Sequence, residues 1–166
     1  MSTPEYELWA DRAVRRPDDV RMISGRRVPL SWQMEKRAGH VDRLMNRTLP
    51  ADFPDPVERG GAGDVLAVLA LSESIRRDLT ACRAGDIREA ILLGATWSEV
   101  AAAIDITPDE SRAILRDWTE RLHGLHQIQA EAAQAQRLGA EEDRHAAVLA
   151  LIELADDQRM ETGRHD

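Results

Sequence analysis

Residues 94–118 read GATWSEVAAAIDITPDESRAILRDW, and the reading of this stretch decides the fold. Thr96 and Glu99 form the pattern T-x-x-E, in which hydroxyl and carboxylate exchange hydrogen bonds with the first backbone N–H groups of a helix. That helix buries Val100, Ala101 and Ile104, with Ala101 small where two helices must cross closely. Asp105 stands at a turn position that often takes left-handed geometry, which Asp tolerates better than most residues. Ile106 plugs the turn. Thr107 and Glu110 then repeat the capping pattern, with Pro108 at the first helical position. Ser111, Ile114, Leu115, Trp118 and Leu122 follow at offsets of three, four, seven and eleven, one face of a second helix. The expected helix boundaries fall near Thr96, Ile104, Thr107 and Gly124.

Working outward, residues 64–92 carry an apolar stripe of Val65, Val68, Leu69, Ser72, Ile75, Leu79 and Cys82, resumed by Ile87, Ile91 and Leu92. Asp64 is the expected cap. Gly85 weakens the helix by about 1 kcal/mol relative to Ala, so a bend or a split is expected there. Gly94 supplies a left-handed stop. Upstream, the stretch 51–63, ADFPDPVERGGAG, holds Pro54, Pro56, Gly60, Gly61 and Gly63 and reads as a linker.

The N-terminal residues 1–50 read as a separate helical module. Thr3 and Pro4 announce a first helix presenting Tyr6, Leu8, Trp9 and Ala13. A hairpin or irregular loop is expected around Ser24-Gly25, since Pro29 limits a second strand. Ser31 is the expected cap of a second helix to about Thr48, with Trp32, Met34 or Glu35, Ala38, Val41, Leu44 and Met45 at helical spacing. Downstream, residues 125–160 place Leu125, Ile128, Ala132, Ala135 and Leu138, then His145, Val148, Leu149, Ile152 and Ala155, three and four apart. Two helices, or one bent near Gly139, are expected, packing on the same chain or on a second copy. Residues 161–166 read as a disordered end. The organisation is therefore an all-α fold: a 1–50 module, a 51–63 linker, a 64–124 bundle and a 125–160 tail.

Composition supports this class. Hydrophobic residues make up 43% of the 166-residue chain but aromatics only 4%, so the core is filled by Ala, Leu, Ile and Val. Of the 22 basic residues, 21 are Arg and one, Lys36, is Lys, which with the abundant Ala suggests a high-GC genome. Cys82 is the single cysteine, which excludes an internal disulfide and a cysteine-based zinc site within one chain. No apolar run approaches the ~18 residues of a membrane span, and a cytoplasmic protein without membrane association is expected. The net charge of −8 is unevenly spread: residues 1–50 carry +3, 51–124 carry −6 and 125–166 carry −5.

The segment 87–122 resembles the helix-turn-helix of sigma-factor region four and of small actinobacterial regulators. The resemblance implies double-stranded DNA as partner, with Thr107, Asp109, Arg112, Ala113 and Arg116 meeting the major groove. Asp109 departs from the family pattern, where Arg, Gln or Ser is common, and with Glu110 it repels phosphate. An acid can, however, accept a hydrogen bond from cytosine N4. Arg15, Arg16, Arg21, Arg26 and Arg27 would supply phosphate contacts. The leading function is a DNA-binding regulator, dimeric through its helical extensions; the alternative is an acidic adaptor that docks on another protein, itself DNA-bound or not. No enzyme, cofactor or metal is expected. Glu142-x-x-His145 is half of a carboxylate metal site without its second copy, His123 and His126 lack a third ligand, and GGAG lacks the Lys and strand of a phosphate loop.

Overall fold

The computed structural model describes residues 3–20, 27–131 and 142–160, and among them every regular element is helical. The chain divides into two compact units, residues 1–81 and 82–166. The boundary falls inside a helix and not at the proline-glycine linker. That helix, α3 (Ala62–Leu92), supplies its first part to one unit and its last three turns to the other. Gly85 neither splits nor ends it, because one glycine costs far less than its neighbours' packing returns: Ala84, Ile87 and Ile91 are all buried.

In the first unit, α1 (Pro4–Ala10) starts at Thr3, whose hydroxyl accepts from the Tyr6 N–H at 3.3 Å. After a single 3-10 turn at Pro17–Asp19 comes α2 (Leu30–Met45). Its N-cap is Pro29 and not Ser31; the Pro29 carbonyl receives the Trp32 and Gln33 N–H groups. The Ser24-Gly25 turn, with Arg21 and Arg26, lies outside the described residues. The core gathers Trp9, Val14, Val28, Ala70 and Leu71, with Tyr6, Val20 and Trp32 against it.

Two expected faces are corrected. On α2 the fully buried residue is Gln33, whereas Met34, Ala38 and Met45 are exposed. Gln33 is satisfied on both sides: its amide donates to the Val28 carbonyl and Asp78, and accepts from the Ser74 hydroxyl at 2.9 Å. A fully bonded amide can enter a core where an unbonded one cannot. On α3 the buried side is Ala67, Ala70, Leu71 and Ser74, while Val65, Leu69, Leu79 and Cys82 are exposed. The first turns, VLAVLAL, are apolar all round, so spacing could not choose between faces. Small Ala side chains let the packing partner come close.

The start of α3 is fixed by Asp64, which lies in its first turn. Its carboxylate accepts from the Gly61 N–H, from Arg43 at 2.8 Å, and lies 2.8 Å from His40 Nδ1. The Gly61 N–H, then His40 and Arg43, hold its pKa well below the usual carboxylate range. Gly60 is required by close approach: a Cβ there would lie 2.9 Å from the Leu44 backbone nitrogen.

In the second unit α3 ends at Gly94, whose φ of 95° suits glycine; the Ala95 N–H then bonds back to the Ala90 carbonyl. Next come α4 (Trp97–Ala103), α5 (Pro108–Glu131) and α6 (Glu142–Ile152). Helix α5 passes through the expected stop at Gly124, which does not take a positive φ. The core is Ile87, Ile91, Trp97, Val100, Leu115, Val148, Leu151 and Ile152. The stretch 132–141 and residues 161–166, with the expected Gly139 bend and disordered end, lie outside the described residues.

Candidate functional site

Both capping patterns close as their sequences require. Thr96 accepts from the Glu99 N–H at 3.1 Å while Glu99 accepts from the Thr96 N–H at 2.8 Å. Thr107 and Glu110 do the same at 3.2 and 2.7 Å. These backbone bonds lower the pKa of both glutamates, Glu99 with help from Arg159. Between the helices Asp105 adopts φ 56°, and the Ile106 N–H returns to the Ala101 carbonyl at 3.1 Å. Sequence and geometry agree on this unit of helix, turn and helix.

The five residues assigned to the outward face do not share one environment. Thr107, Asp109, Ala113 and Arg116 are exposed, the Asp109 side chain at 96%. Asp109, Ala113 and Asp117 form an exposed row, each one turn below the last. Arg116 is half exposed and faces Glu153 at 3.9 Å. Arg112 is different: its side chain is 13% exposed and turned onto the end of α6. Its Nε donates to the Ile152 carbonyl at 3.1 Å, and one terminal nitrogen donates to Leu154 at 2.8 Å and Asp156 at 2.5 Å. The other terminal nitrogen meets Asp109 at 3.2 Å, and the guanidinium lies 5.2 Å from the centre of the Trp97 ring. A cation placed on the open carbonyls of a helix C-terminus is favoured there. Arg112 thus fastens α6 to α5, a role hidden in the sequence because its partners lie 40 and more residues away.

Helix α6 runs antiparallel along α5, since Ile152 meets Arg112 while His145 meets Glu120 and His123. The histidine pairing is unexpected. His123 stacks on His145 with centroids 4.1 Å apart, not beside His126 as a metal pair, and its Nδ1 is buried without a hydrogen-bond partner. Parallel rings send their lone pairs along parallel planes, so they do not converge on one ion. Among the described residues no three metal-ligating side chains come together. The segment after α6 continues the fastening: the Ser98 N–H donates to the Asp156 carbonyl, and Arg159 reaches Gly94 and Glu99.

Of the N-terminal arginines, Arg15, Arg16 and Arg27 are among the described residues. Arg15 and Arg16 are exposed, and their backbone N–H groups both donate to Asp19 at 2.9 Å. Arg27 is paired with Asp78. Charge separates by unit: residues 1–81 hold 13 basic and 13 acidic side chains, so the whole net charge of −8 lies on residues 82–166. Among the described residues no helix is long and apolar enough to cross a membrane. Compared with known proteins, the chain matches no family model, no curated protein and no solved structure.

Proposed function

We propose that the chain is an adaptor whose α4–turn–α5 unit docks on a basic protein surface in the cytoplasm. The observation that carries this is the charge of the outward face. Asp109 and Asp117 flank Ala113 on it, Asp105 and Glu110 are exposed beside it, and Arg112 is committed to α6. Carboxylates around a small side chain repel a phosphate backbone and complement lysine- or arginine-rich protein.

A second reading, a DNA-binding regulator, is favoured by the α4–turn–α5 order itself. Thr107, Ala113 and Arg116 are exposed at the start of α5, where a major-groove helix contacts bases. In that reading Arg116 leaves Glu153, and a homodimer would place two such helices on one duplex.

One experiment separates the two. A photo-crosslinking residue replaces Ala113 in the full chain expressed in its native cells. The adaptor reading expects a protein adduct, reduced about tenfold or more when Asp109 and Asp117 are changed to Arg. A DNA adduct in its place supports the regulator. In parallel, duplex DNA at low salt should bind no tighter than about 10⁻⁴ M, the weak end of non-specific affinity. Tighter binding that is lost in Arg116→Ala would overturn the adaptor.

A further inference from the structure

The first unit holds a cleft of about 410 Å³ between α1 and α2. We propose that it is a binding site for a small phosphate ester, with Lys36 and Arg43 receiving the phosphate at a wall they share with Arg12 and His40. The inference is independent of the docking face, which belongs to the other unit.

The argument starts from Lys36, the single lysine in a chain that uses arginine 21 times. Its ammonium lies 4.7 Å from the centre of the Trp9 ring and donates to the adjacent Trp9 and Ala10 carbonyls, both at 2.7 Å. Two adjacent carbonyls beneath a ring suit a compact ammonium better than a planar guanidinium. Three donors serve those two bonds, which leaves one N–H beyond them. Burial lowers the pKa of Lys36, and the nearby charges of Arg12 and Arg43 lower it further, against Asp11. Lys36 thus shares a partly desolvated place with two guanidinium groups, and an anion bound there would add to the favourable charge of Asp11.

The walls fit the rest of such a ligand. Among the described residues Glu35 is the one carboxylate lining the cleft, and it accepts from the Tyr6 hydroxyl at 2.7 Å. Arg43 is braced from behind by Asp64. Gly39 lines the cleft without a side chain, and a Cβ there would stand 3.9 Å from an Arg43 terminal nitrogen. Tyr6 and Trp32 are half-buried and meet edge to face at 5.1 Å, giving an apolar surface beside the charges. Inorganic phosphate fills only part of the volume; an ester's organic group takes the remainder against these rings.

The test uses the full ¹⁵N-labelled chain and follows its four indole N–H signals during titration with inorganic phosphate and with phenyl phosphate, at matched ionic strength. Saturable shifts are expected at Trp9 and Trp32 and not at Trp97 or Trp118, with phenyl phosphate the tighter probe. Lys36→Gln keeps a donor for the two carbonyls but removes the charge, and should weaken binding about five- to tenfold. Glu35→Gln keeps an acceptor for Tyr6 while removing the opposing charge, and should tighten binding about two- to fivefold. If Lys36→Gln disrupts the unit, seen as loss of the Trp9 and Trp32 signals, the Glu35→Gln result decides. Shifts of equal size at all four indoles, no saturation by about 20 mM ligand, or Glu35→Gln failing to tighten binding each overturn the site.

Discussion

The two units solve one packing problem with the same three parts, and they differ in the cation. In each, an almost fully buried tryptophan donates its indole N–H to a distant backbone carbonyl: Trp9 to Trp32 at 3.1 Å, and Trp97 to Leu151 at 3.0 Å. In each, a cation lies over that ring and donates to carbonyls at a helix end, Lys36 at the end of α1 and Arg112 at the end of α6. Lys36 serves two neighbouring carbonyls as a point charge. Arg112 spreads a planar fork over Ile152, Leu154 and Asp156. The choice of cation follows the span to be bridged. It also separates their further uses: the lysine sits beside an open cleft, whereas the arginine has four of its five donors occupied within the second unit.

The comparison breaks most visibly at the tryptophans. Trp97→Ala should cost about 3–5 kcal/mol, read by denaturant unfolding, and open protease sites within residues 82–160. Trp9→Ala should expose sites within residues 1–81 instead. Cleavage appearing in the same places for both would mean that the two pins are not separate.

Next in size is Arg112→Ala, expected to cost about 2–3 kcal/mol because two carbonyls and two carboxylates lose their donor. Arg112→Lys should recover less than half of that loss, since an ammonium does not span Ile152 and Leu154 together. Full recovery by lysine would remove the distinction between point charge and fork.

A third test compares how the units begin their helices. Asp64 has its pKa depressed in the folded chain, so its contribution is fully present above the usual aspartate value of about 4. It is lost as pH falls below that value towards the folded one. Asp64→Asn should therefore lower stability at neutral pH, and the gap to wild type should narrow steadily as pH falls from about 4 to about 2. A gap that stays constant with pH would assign the loss to packing and not to charge.

The smallest effect belongs to the turn. Asp105 holds φ 56°, and Asp105→Gly should stabilise the second unit by about 0.5 kcal/mol, the relief of left-handed strain exceeding glycine's added chain entropy. Destabilisation would show that the aspartate side chain supports the turn.

Legibility in the sequence followed the range of the interaction. The all-helical class, the α4–turn–α5 unit and the Gly94 stop depend on residues within four or five positions of one another, and local chemistry announces them. The buried face of α3 did not follow, because VLAVLAL offers apolar residues in every direction and only the tertiary neighbour selects one. Gln33 reads as a surface amide until Ser74 and Asp78 arrive from 41 and 45 residues away. Arg112 satisfies the spacing of a groove-reading residue, and its bonding to α6 is visible only once the chain has folded back. Lys36 did leave a trace, as the one lysine among 22 basic residues, but composition alone gave it no place.

The fastening of α6 also sets an order of events during synthesis. Every pin of the first unit has its partner by residue 81: Trp9 with Trp32, Gln33 with Ser74 and Asp78, Asp64 with Arg43. The second unit waits. Trp97, Ser98, Glu99 and Arg112 meet their partners at Leu151, Asp156, Arg159 and Ile152 only when almost eighty residues have followed the unit's first. Until then the ribosome holds a closed amino-terminal unit and, behind it, an α4–turn–α5 segment with one side of its core still open to chaperones.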